Sequence, residues 1–306
     1  MAMHRRAFIQ AGAALTSGSL LAGLASAEAP GQRRLSTFGL QLSTVTQMML
    51  ADFAGTLERV AQVGYQQVEF SARGFLGRSA SEVQALLTQY GLEAPVGRVS
   101  VRLPEGFYQL PRDEAMRVYQ QHAGLDRFLD NVRYSLDAAL ALDQSALVLP
   151  ALMRDRFTTL DQVKANIELI NQAGDLCGAQ GVQFGYHNHD WELAELDGVV
   201  PYDLMLEQTD PDKVTYQLDA YWITRGGGDL EDYLTRYAGR FSSCHMKDID
   251  DEGDFADVGF GLIDFPRFTA LAVAQGARHF FVERDNPPEP LQSIVRSYGY
   301  LSQMKF

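Results

Sequence analysis

From Phe38 onward the chain repeats one pattern eight times, a short apolar run followed by a helical stretch or a short helical turn. The runs are FGLQLSTV (38–45), QQVEFS (66–71), EAPVGRVSV (93–101), SALVLPA (145–151), VQFGYHN (182–188), VTYQLD (214–219), FSSCHMK (241–247) and HFFVER (279–284). Each is short, apolar and bounded by polar or glycine-containing stretches, which reads as a buried strand. Between them, LADFAGTLERVAQVG (50–64) ends on a C-cap glycine, and SASEVQALLTQYG (79–91) opens with a capping box from Ser79 to Glu82. Further helical patterns cover 111–143, 159–180, 228–238, 265–275 and 290–302.

Strands that alternate with helices build a parallel sheet, and eight such units over about 270 residues imply an α/β fold of the (β/α)8 barrel type. A doubly wound sheet would want a glycine-rich phosphate turn after the first strand, and QLSTVTQMM has none. GGG at 226–228, followed by Asp229, fits no nucleotide loop and reads as a loop entering a helix N-terminus.

A formal charge of -13 and a pI near 4.9 argue against nucleic acid, whose phosphates call for a basic surface. Cys177 and Cys244 are far apart and form no CxxC motif, so both read as small buried hydrophobes. The N-terminus stands outside the fold. Arg5 and Arg6 precede a moderately apolar run to Leu24, and Ala25-Ser26-Ala27 offers a small-residue cleavage signal. The run is too short and too rich in Gly, Ser and Ala to span a membrane. With Ala7-Phe8-Ile9-Gln10 the arginine pair resembles a twin-arginine export signal. The expected organisation is a signal peptide at 1–27, a flexible linker at 28–37 and one barrel domain at 38–306. The expected location of the mature, membrane-free chain is the periplasm.

Catalytic groups of such barrels sit at the C-terminal ends of the strands. Here those ends carry Glu69, then His187 and His189, Asp219, His245 and Lys247, and Glu283. Acidic and imidazole groups at four consecutive strand ends suit a divalent metal, with Mn2+, Co2+, Zn2+ or Mg2+ as candidates. Asp219 before AYW also reads as a helix N-cap, and Lys247 as a hydrogen-bond donor to substrate or a rim partner of Asp248. Trp191, Tyr221 and Trp222 are candidates for an aromatic wall against a sugar ring.

The segments GLQLSTV, GYQQVEF, GYHNHDWEL, YDLMLEQTDPDKVTYQLDAYW, GRFSSCHMKDID, VGFGLIDF and FVERD together resemble the xylose-isomerase-like TIM-barrel family of sugar phosphate isomerases and epimerases. The resemblance runs from about residue 38 to the C-terminus. It implies a metal at the barrel mouth, with Asp219, His245 and Glu283 matching the last three ligand positions. The first position, commonly glutamate, falls in Tyr186-His187-Asn188-His189. Strand alternation favours His187, with His189 or Glu192 as alternatives. The family reaction is proton abstraction beside a carbonyl of a sugar or keto-sugar, shared between two glutamates. Here Glu283 keeps one of them, and His189, Glu192 or Glu69 would serve as a base. Branches of the family expel a β-leaving group from keto-inositols or 3-keto-glycosides, which is the alternative chemistry. A third reading is a sugar-binding barrel without catalysis. Arg98 stands where relatives often carry histidine, and Phe260 where they often carry glutamate, so the substrate contacts expected of Arg98, Trp191, Glu192 and Trp222 imply a reshaped pocket. The expected partner is a small carbohydrate, with no nucleic acid or membrane, and self-association is left open.

Overall fold

The computed structural model describes residues 32–306, so the expected signal peptide and the first part of the linker lie outside the described residues. Of the remaining linker, Arg33 exchanges both backbone hydrogen bonds with Phe306, at 3.2 and 3.0 Å.

Eight parallel strands form the barrel: β1 (Gly39–Gln41), β2 (Gln67–Glu69), β3 (Val96–Arg98), β4 (Ala146–Leu149), β5 (Gln183–His187), β6 (Val214–Asp219), β7 (Phe241–Met246) and β8 (His279–Val282). Their order is β2-β1-β8-β7-β6-β5-β4-β3. The circle closes between β2 and β3 through little more than one bridge. There Val68 N–H donates to the Glu93 carbonyl at 2.8 Å and Glu93 N–H to the Gln66 carbonyl at 3.0 Å.

Alternation divides the strands into two apolar regions. Leu40, Leu147, Phe184, Leu218 and Phe280 belong to the large core shared with the helices, whereas Val96, Val148 and Phe281 form a small separate cluster. Gly39 is required beside that cluster, because a Cβ there would stand 2.5 Å from the Phe281 ring. Side chains at the next inward positions are polar, and that is where the chemistry collects.

All eight expected strands form, the sixth with its expected bounds and the other seven shorter. The first run stops at Gln41, and Leu42–Val45 turns into a 3-10 helix where Gln41 caps the Ser43 N–H. The long helical stretch at 111–143 is broken into Arg112–His122, a 3-10 turn and Phe128–Ala141. Gly124 interrupts the pattern there. Three helices escaped the periodicity pattern, Thr46–Ala51, Pro201–Gln208 and Ala220–Arg225, of six, eight and six residues. The Ser79–Glu82 capping box is present, and Asp229 caps Leu230–Arg236 after the glycine triplet. Both cysteines are free and buried. No helix among the described residues is long and apolar enough to cross a membrane.

Candidate metal centre

Strands β5 to β8 are neighbours in the barrel, and each brings one metal-capable side chain to its C-terminal end. One donor atom from each of His187, Asp219, His245 and Glu283 can be chosen so that all four lie within 4.8 Å of one another. All four residues are buried. Asp219 combines the two roles open to it. Its Oδ1 accepts the Trp222 N–H at 3.0 Å and caps the helix Ala220–Arg225, while Oδ2 is buried without a hydrogen-bond partner. A buried, unpartnered carboxylate oxygen is costly unless a cation takes it up. That oxygen stands 3.8 Å from His187 Nε2 and 3.7 Å from His245 Nδ1. Two imidazoles and two carboxylates suit Mn2+, Co2+ or Zn2+ better than Mg2+, which favours an all-oxygen shell. The donor set therefore fits the expected group.

The two candidate histidines differ in electrostatics. Burial, reinforced by Arg98 and His245, holds His187 well below the ordinary imidazole range, so it is neutral and ready to ligate. Burial would also depress His245, but Glu283 and Glu69 outweigh it and raise its pKa well above the usual value. His245 lies between those carboxylates, with Nδ1 3.0 Å from Glu283 Oε2 and Nε2 2.8 Å from Glu69 Oε2. Burial alone would raise Glu283, yet Lys247 and His245 keep it well below the normal carboxylate range.

Lys247 is fully buried, and its ammonium donates to Glu283 Oε2 at 3.1 Å and Asp285 Oδ2 at 2.7 Å. Burial favours its neutral form, but Glu283 and Asp219 overcome this and raise its pKa, so it remains charged. The rings of Phe255, Trp222 and Tyr221 surround it at 4.9, 5.0 and 5.7 Å. The expected alternative pairing with Asp248 is absent. Asp248 instead accepts backbone N–H groups from Ile249, Gly259, Gly261 and Ile263 and ties down the loop that follows β7.

His189 is half-buried. Its ring stacks on Trp191 at 4.3 Å, lies 5.1 Å from both His187 and Trp222, and leaves Nδ1 without a partner. Burial and the Lys247 charge push its pKa down to about 3. Trp191 donates from Nε1 to the Leu152 carbonyl at 3.2 Å. Trp191 and Trp222 together flank His189. Tyr221 is buried, with its ring edge-on to Trp222.

Three other expected contributors stand deeper. Glu192 is sealed away from solvent, accepting from the Tyr186 hydroxyl and from His189 N–H at 2.9 Å. Burial pushes its pKa up to about 8. Glu69 is occupied by His245 and by Gln217, whose Nε2 donates to it at 2.7 Å. Arg98 donates to Gln217 Oε1 at 2.6 Å and lies 3.6 Å from Glu69. Phe260 is exposed, with the Arg296 guanidinium over its ring at 4.1 Å. Sequence reasoning missed Gln217, Ser43 and Asp285. Gln217 was within reach, because strand alternation puts it on the same inward face as Asp219. Ser43, which donates to Glu283 Oε1 at 2.9 Å, comes from a 3-10 turn that the strand pattern concealed.

Two clefts open at the same end of the barrel. One of about 450 Å³ is lined by Val99, Val101, Leu125, Leu152 and Met153, and one of about 640 Å³ by Arg73, Arg78, Glu105 and Tyr108.

Among curated proteins, the chain is 27% identical over 159 residues to an inosose dehydratase from Geobacillus thermodenitrificans, covering 45% of this chain and 53% of that one. The chain thus spans about half the length of that relative. It is 22% identical over 272 residues to an inosose dehydratase from Geobacillus kaustophilus, covering 81% and 84% of the two chains. Among solved structures, a sugar phosphate isomerase/epimerase from Parabacteroides distasonis superposes with a TM-score of 0.70 at 25% identity, over 90% of this chain and 95% of that one. Residues 57–303 match the model of the xylose isomerase-like TIM barrel, and the chain belongs to that family.

Proposed function

We propose that the protein is a divalent-metal-dependent enzyme that removes a proton from the carbon beside a carbonyl of a sugar or keto-sugar. The observation that carries this reading is the buried His187, Asp219, His245 and Glu283 set with its unpartnered Asp219 oxygen. When bound there, the ion would supply Lewis-acid polarisation of a substrate carbonyl.

The chain's own residues account for the rest. Lys247 stays protonated and offers a buried hydrogen-bond donor for a substrate oxygen on which negative charge develops. His189 is neutral, and a neutral imidazole keeps a lone pair on one ring nitrogen, which would take the carbon-bound proton. Glu69 and Glu192, the other bases expected, are already committed, to His245 with Gln217 and to Tyr186 with the His189 backbone. Trp191 and Trp222 flank His189 and present apolar faces to a sugar ring. The paired-arginine N-terminus supports an exported, periplasmic setting for this activity.

Metal analysis of purified protein, combined with deuterium exchange at the α-carbon of candidate ketoses and 3-keto-glycosides, tests the reading. Exchange that requires metal and disappears in Glu283→Gln is the expected result. Absence of both bound metal and exchange would overturn it. A second reading has its own support. The chain resembles two inosose dehydratases, and the strand-five position carries His187 in place of the expected glutamate. In that reading the same proton abstraction is followed by expulsion of a β-hydroxyl, with Lys247 donating to the departing oxygen. Loss of water from a keto-inositol, read by mass, separates it from isomerisation, which leaves the mass unchanged.

A further inference from the structure

Below the ligand set a chain of hydrogen bonds crosses the barrel interior, and its polarity is fixed at both ends. Arginine offers only donors, so the Gln217 atom 2.6 Å from Arg98 is the amide oxygen. The amide nitrogen therefore faces Glu69, an acceptor, at 2.7 Å. The same Gln217 oxygen lies 3.1 Å from His187 Nδ1. An oxygen there demands a proton on Nδ1, and a neutral imidazole has only one to place. His187 Nε2, the nitrogen nearest Asp219 Oδ2, then keeps its lone pair. His245 is placed differently, with Nε2 on Glu69 and Nδ1 on the side of Asp219 and Glu283.

We infer that Gln217, with its amide orientation set by Arg98 and Glu69 together, is a positioning residue that fixes which ring nitrogen of His187 faces the metal site. Arg98 then acts on the site through Gln217. This rests on the proposed metal centre for its purpose, but the ring assignment can be measured without metal. Partners of this kind in the outer shell orient a ligand and raise its basicity.

The test uses the full chain labelled with ¹⁵N-histidine, metal-free, with long-range ¹H–¹⁵N spectra to locate the His187 proton and calorimetry to follow Mn2+ binding. In the wild type the proton is expected on Nδ1. In Gln217→Leu, where Nδ1 loses its acceptor, His187 should populate the Nε2–H form, and Mn2+ affinity should fall by about 10- to 100-fold. Arg98→Met, in which Glu69 still accepts from the amide nitrogen, should keep the wild-type tautomer. A wild-type proton on Nε2, or a Gln217→Leu protein with unchanged tautomer and unchanged Mn2+ affinity, would overturn the inference. If Gln217→Leu fails to fold, Gln217→Met takes its place and the wild-type spectrum still decides the ring assignment. A wild type that binds no metal but carries the proton on Nδ1 would refute the metal centre and leave the assignment standing.

Discussion

Lys247 stands closer to Asp285 than to Glu283, at 2.7 Å against 3.1 Å, although Glu283 is the more buried of the two carboxylates. Asp285 thus orients the ammonium, and burial with the Glu283 charge keeps its own pKa raised. Lys247→Gln should slow α-proton exchange by about 10²- to 10³-fold, the scale of one lost donor to developing negative charge. Metal content should be unchanged. Asp285→Asn should give a smaller loss in the same assay. A Lys247→Gln enzyme that exchanges at the wild-type rate would remove Lys247 from the reaction.

Metal should stabilise the fold by mass action. At a free Mn2+ concentration of 100 times Kd, the gain is about 2.7 kcal/mol, read as a higher thermal midpoint that a chelator reverses. Asp219→Asn and Glu283→Gln should both abolish this response. A melting curve indifferent to metal and chelator in the wild type would contradict the ligand set.

Glu192 gives stability a pH dependence of known sign. Its pKa is about 8 in the folded chain against 4.5 for an ordinary glutamate. Across that window the folded state holds the extra proton, so this group's contribution is fully present below 4.5 and is lost as pH rises through 8. Glu192→Gln cannot titrate. Whatever its absolute stability, it should lose less than the wild type between pH 5 and 9 in denaturant titrations (~4 pH units that span the window). Parallel curves for the two proteins would show that Glu192 is ionised throughout.

Asp248 holds four backbone N–H groups at 2.9 to 3.2 Å. Asp248→Asn turns an amide NH2 toward one pair of them and leaves these largely part-buried donors without an acceptor. The expected cost is about 2–4 kcal/mol, measured by chemical denaturation. A loss near zero would mean that the loop after β7 is held by other contacts.

The barrel was legible because eight apolar runs alternate with helical stretches, and that signal survives errors of several residues at each boundary. The candidate ligand cluster was legible for a related reason, since strand ends are countable and His187, Asp219, His245 and Glu283 occupy successive ones. What escaped was direction and depth. Nothing in the residue type of Arg98 says that it reaches inward to Gln217, and nothing in GYHNHDWEL says that Glu192 is sealed against Tyr186 while His189 keeps a free nitrogen. Those distinctions depend on which partners the folded backbone places within hydrogen-bond range.

The seam between β2 and β3 carries one further consequence. These two strands barely pair with each other, yet each is tied across the barrel interior, β2 through Glu69 to His245 and β3 through Arg98 to Gln217. The polar chain is therefore also a pair of crossbeams that closes the wall where the ladder fails. Cutting either beam should speed amide exchange at Val68 and Glu93 before it is felt anywhere else in the sheet. In this barrel, closing the cylinder and aiming the histidines are one task, done by the same few side chains.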